Sequence, residues 1–139
     1  MAATGKYIHS SIHTGLADAV TNVYAAAARH LVPLNNDQTS VTGNVRGIAR
    51  LGALYVHVNA IAAGATTLTM RITRDTAGDQ AWIGDATATL STGVTTAAQG
   101  ACTWKLDVDY VHSDDKLYVW FKTNAGTCTV DRIELTWEE

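Results

Sequence analysis

The chain of 139 residues has the size of one domain and is 47% hydrophobic but only 17% charged, which excludes a disordered tail. A formal net charge of −3 removes the electrostatic motive for holding a phosphate backbone, so no nucleic acid is expected as a partner. No apolar run approaches the ~18 residues that span a bilayer, and residues 1–12 lack a secretory hydrophobic stretch, so the expectation is no membrane and synthesis in a cytoplasm.

Residues 6–14 read as an extended segment. His9 and His13 share an H-x-x-x-H spacing, which on a helix would offer two imidazoles to one metal ion. On a strand they stand about 13 Å apart, too far to share an ion. No glutamate follows His9, so the metalloprotease pattern is missing, and both histidines are expected on an exposed strand face. Residues 1–13 admit two readings, an anchoring arm or the first strand of the domain. Ala2, Ala3, Thr4 and Gly5 suit an arm, while Tyr7, Ile8 and Ile12 are groups that a lone arm would not display to water. Adjacent Tyr7 and Ile8 point to opposite faces of a strand, so both faces call for cover. These three are candidate partner contacts.

Residues 16–31 fit two descriptions. Leu16, Val20, Val23, Ala27 and Leu31 share a helical face, and the alanine run 25–28 favours helix. Val23 and Tyr24 followed by small residues read as a strand, which the β-rich surroundings favour. Pro33 ends the element in either case.

From there the pattern has period two. Leu54, Val56 and Val58 alternate with Tyr55, His57 and Asn59, and Leu68, Met70 and Ile72 with Thr67, Thr69, Arg71 and Thr73. Ala86, Ala88 and Leu90 alternate with Thr87, Thr89 and Ser91, and Trp104, Leu106, Val108 and Tyr110 with Lys105, Asp107 and Asp109. Residues 117–121 are apolar on both faces and predict a central strand. Ile133, Leu135 and Trp137 close the series. Turn residues punctuate it at 63–64, 75–79, 91–93, 112–115 and 124–126, the last predicting a hairpin through Asn124, Ala125 and Gly126. The result is an all-β chain forming a single antiparallel β-sandwich of about eight strands over residues 1–139.

Chemistry-bearing groups are sparse. Asp75, Asp79 and Asp85, or Asp107, Asp109, Asp114 and Asp115, match no EF-hand spacing and read as turn aspartates, with Asp114 and Asp115 the better calcium candidates. Cys102 and Cys128, the only cysteines, read as buried reduced thiols with a bridge as the alternative. Trp104 and Trp137 share parity with aliphatic neighbours and belong to the core. Trp120 falls on the opposite face to Val119 and Phe121, and Trp82 lies near a loop, so these two are candidate partner-binding residues. No nucleophile motif, phosphate loop, dinucleotide fingerprint or paired-glutamate arrangement is present. No catalytic residue, metal or cofactor is assigned, and an enzyme is not expected.

With the strands in order, three stretches carry a resemblance. Thr42-Gly43-Asn44-Val45 leads to Leu54-Tyr55-Val56-His57-Val58, an alternating strand over 67–75 ends in a polar turn, and Leu117-Tyr118-Val119-Trp120-Phe121 precedes a closing strand over 131–137. Across residues 20–139 this resembles the small jelly-roll proteins of tailed bacteriophage particles, including head decoration and fibre-head modules. The resemblance implies a jelly-roll-like sandwich and a virion structural protein that reinforces a capsid lattice. It also implies the major capsid protein or other virion proteins as partners, and a homotrimer made in the host cytoplasm. It transfers no functional residue. The alternative is a carbohydrate- or receptor-binding module of a phage fibre.

Overall fold

The computed structural model describes residues 8–32, 48–92, 98–112 and 115–138. Ten strands form among them: β1 Ile8–His13, β2 Asp18–Val20, β3 Arg29–Leu31, β4 Ile48–Ala62, β5 Thr67–Thr73, β6 Ala81–Thr89, β7 Ser91–Thr92, β8 Gly100–His112, β9 Tyr118–Thr123 and β10 Thr127–Glu138. Every pairing is antiparallel. Sheet A runs β1-β10-β4-β8-β7, with β2 also paired to β10, and sheet B runs β3-β9-β5-β6.

β1 and β2 lie along successive stretches of β10 and act as one interrupted stave, while β7 is a two-residue edge on β8. Eight staves remain. Their order is first, eighth, third, sixth in one sheet and second, seventh, fourth, fifth in the other. That is a jelly-roll winding, which brings strands distant in sequence side by side.

The period-two residues supply the core. Leu54, Val56 and Val58 of β4, with Ile133, Leu135 and Trp137 of β10, meet Leu68, Met70 and Ile72 of β5 and Val119 and Phe121 of β9, all at 0–1% exposure. Trp104 reaches between the layers: its indole N–H donates to the Ala86 carbonyl at 3.0 Å, and its ring lies 6.2 Å from Phe121.

Residues 16–31 form neither one helix nor one strand. β2 sits in sheet A and β3 in sheet B, and one turn of 3-10 helix, Ala26–Ala28, carries the chain across. Small alanines suit that crossing, with Ala28 buried at 1% exposure. The turn at 124–126 also differs from expectation. It joins β9 of sheet B to β10 of sheet A, so it is an arch between layers and not a hairpin. Gly126 has φ +64, and a Cβ there would overlap the Ala62 carbonyl oxygen, so glycine is required. Asn124 ties the arch to the β4–β5 turn: its Oδ1 accepts from the amides of Thr66 and Thr67 at 2.9 and 3.1 Å.

Candidate functional site: two outer faces

Sheet B turns Arg29 of β3, Trp120 of β9 and Arg71 of β5 outward in one register row. Tyr24, from the β2–β3 connection, lies across this row. Its ring meets Trp120 edge-on at 6.3 Å, and the charges of Arg71 and Lys122 stand 4.6 and 4.7 Å from its centroid. Its hydroxyl donates to Asp85 on β6 at 2.8 Å, and Arg71 Nε donates to the same oxygen at 2.9 Å. Burial, then the hydrogen bond and charge of Asp85, push the Tyr24 phenol above its ordinary range. The Tyr24 hydroxyl, aided by Arg71 and Lys122, in turn holds the Asp85 carboxyl below its own. Arg29, Arg71 and Lys122 thus share this face with Asp85, which pairs with Arg71 at 2.9 Å and Lys122 at 3.8 Å.

Trp120 faces outward, as its parity implies, yet is only 8% exposed. Tyr24 covers one side, Arg29 stacks at 5.2 Å, and the β5–β6 turn brings Gly78 against the indole. Its N–H donates to Thr73 Oγ1 at 2.8 Å. The indole is therefore a support beneath the face and not part of the surface. Trp82 is half-buried at the end of sheet B, under Arg74 at 3.8 Å, with its N–H on the Lys116 carbonyl.

The other candidate contacts lie elsewhere. Tyr7 is outside the described residues, and Ile8 opens β1 opposite Glu138. Ile12 pairs with Glu134 and is half-buried on the opposite face to Ser11, which is 1% exposed. Residues 8–13 are thus an edge strand of this chain's own sheet A. The histidines differ from expectation: pairing with β10 turns the odd residues of β1 inward, so His9 packs on Trp137 at 5.4 Å and His13 on His30 at 5.4 Å. His30 Nδ1 stands 3.5 Å from Asp18 Oδ2, an ion-pair distance without hydrogen-bond geometry. Burial first, and His30 second, hold His13 below the ordinary imidazole range.

Asp75 accepts from the amides of Gly78 and Asp79 at 3.0 and 3.1 Å, a turn aspartate serving its own turn. Asp114 is outside the described residues, and among the described residues no group of three His, Cys, Asp or Glu could hold a metal ion. Cys102 and Cys128 are free and buried on either side of β4, and burial pushes their thiols up to about 12 and about 11. Neither is a ready nucleophile at neutral pH.

The outer face of sheet A carries a feature that the parity reading did not register. Val130 and Ile133 both point inward although they are three positions apart, with two residues between them, because the β10–β4 register shifts between Val130 and Arg132. Asp131 is the extra residue of this β-bulge, a device that re-aims side chains. Its carboxylate meets His57 Nδ1 at 2.6 Å and accepts from Asn59 Nδ2 at 2.7 Å, both on β4. Arg132 grips Glu134 Oε2 through Nε at 3.0 Å and a terminal nitrogen at 2.8 Å. Tyr55 stands opposite Glu134. Thr14, Gly15, Tyr55, His57, Asp131, Arg132 and Glu134 line an open depression of about 600 Å³. The break in alternation between Val130 and Ile133, at Asp131-Arg132, was the sequence signal for it.

Fold and faces together define a class: a jelly-roll sandwich whose two outer surfaces carry ordered polar and aromatic groups. No family model matches the chain, and no curated protein does. Among solved structures the chain is similar to the crystal structure of FLHE, with 11% identity, 97% of each chain covered and a TM-score of 0.41. That likeness is too loose to transfer a residue or an activity.

Proposed function

We propose that the chain is a non-catalytic structural protein of a bacteriophage particle, a decoration module that binds and reinforces the capsid lattice. It is made in the host cytoplasm, acts as a homotrimer in the virion, and takes the major capsid protein or a neighbouring virion protein as its partner. The observation that supports this reading most is the outer face of sheet B. Tyr24 is already locked against Arg71 and, with Arg29, rests on the buried Trp120. Tyrosine and arginine are among the residues that concentrate binding energy in protein interfaces. Groups ordered beforehand lose little entropy on docking. With three cations beside Asp85, the matching surface is acidic, and opposite charge adds to the association rate. The jelly-roll winding accords with the resemblance seen in the sequence, although fold alone assigns no function.

The test mixes the purified chain with particles of its own phage that lack it, followed by sedimentation. Co-sedimentation that weakens with salt and falls about tenfold or more in Arg71→Glu supports the reading. A folded chain that stays in the supernatant overturns it. Light scattering checks the trimer: a strictly monomeric mass, with no contact between copies on the particle, removes that part.

A further inference from the structure

We propose that the depression on the outer face of sheet A is a binding site for neutral sugars, a second recognition surface opposite the one assigned to the capsid. The inference does not depend on sheet B. It begins with the bulge. An unbroken β10 would alternate Asp131 and Arg132 between the two faces. The extra residue at Asp131 lets the Asp131 carboxylate and the Arg132 guanidinium both stand beside the depression.

The groups are fixed before any ligand arrives. Asp131 is held by His57 and Asn59, yet its side chain is 27% exposed and that of His57 29%. A carboxylate has about four lone-pair sites, so two bonds leave it able to accept more. His57 presents Nδ1 to that carboxylate, so Nδ1 carries a proton and the ring is held in one orientation. Arg132 is clamped on Glu134 with its side chain 41% exposed. Tyr55, opposite Glu134, adds a ring and a hydroxyl to the lining. A hydroxyl both donates and accepts, so neighbouring sugar hydroxyls match a carboxylate beside a guanidinium. Two carboxylates against one guanidinium disfavour an anionic ligand. A depression of about 600 Å³ lies in the size range of small-ligand sites and admits one or two sugar rings.

The experiment is an amide NMR titration of the isolated chain with a panel of neutral mono- and disaccharides, plus sialic acid as the acidic comparison. The proposal expects saturable shifts at residues 14–15, 55–59 and 131–134 with at least one neutral sugar. It also expects about tenfold weaker binding in Asp131→Asn, since bonds to charged groups are the strong ones. Should that variant lose its native spectrum, Arg132→Ala supplies the same comparison. Three outcomes overturn the proposal: no saturable shift with any neutral sugar, response to sialic acid alone, or unchanged affinity in a folded variant. Loss of capsid binding in Arg71→Glu leaves these shifts in place, so the two readings fail separately.

Discussion

The two outer faces of the sandwich reach order by different routes. On sheet B, side chains far apart in sequence fold over the strands, so that Tyr24 bonds Asp85 and the 75–79 turn closes on Trp120. On sheet A the strands themselves do the work: one extra residue in β10 brings Asp131 to His57 and Asn59. A roofed face contributes to the packing of the domain and is costly to disturb. An open face built on a bulge is free to serve a ligand, because little of the fold leans on it.

The sharpest way to break this contrast is Trp120→Ala. Removing a buried indole that holds both Tyr24 and Thr73 should cost about 3–5 kcal/mol in denaturant unfolding. A loss under about 1 kcal/mol would mean that sheet B carries no roof. Next comes the arch joining the two sheets. Gly126→Ala should destabilise by more than about 2 kcal/mol, adding backbone overlap to the left-handed conformation. Gly15, at the rim of the open depression, has φ +69, but beyond its two chain neighbours no atom lies within 4 Å of where an alanine methyl would stand. Gly15→Ala should therefore cost only about 1 kcal/mol. Equal losses at the two glycines would contradict the packing at the arch.

A smaller effect concerns the seam where β1 and β2 of sheet A meet β3 of sheet B. His13 has its folded-state pKa lowered, so the unfolded chain binds the proton more readily. Its contribution is fully present above the unfolded imidazole pKa of about 6.5 and is lost as pH falls through that value towards the lowered one. Unfolding midpoints should therefore drop between neutral and mildly acid pH, and His13→Gln should flatten that drop. A slope unchanged in the variant would clear His13 of the effect. The smallest change is expected at Asp131→Asn, within about 1 kcal/mol, because the pair it breaks is partly exposed. A large loss there would make the open face structural.

Strand character was legible residue by residue. The alternation of Leu68, Met70 and Ile72 with threonines predicts β5, and the doubly apolar run 117–121 predicts a covered central strand, because side-chain direction in a strand is a local property with period two. Burial of Trp104 and Trp137 followed from parity for the same reason. Tertiary structure decided what depends on partners distant in the chain. Pairing with β10 turned His9 and His13 inward, and the layer change at Ala26–Ala28 split residues 16–31. Tyr24 reached Asp85 across 61 positions to cover an outward Trp120. The depression stood between these cases: the break in alternation at Asp131 was written in the chain, but its meeting with His57, 74 positions away, existed only once β10 and β4 had paired. Strand pairing is non-local, so composition and period can say that a face exists and not which residues will share it.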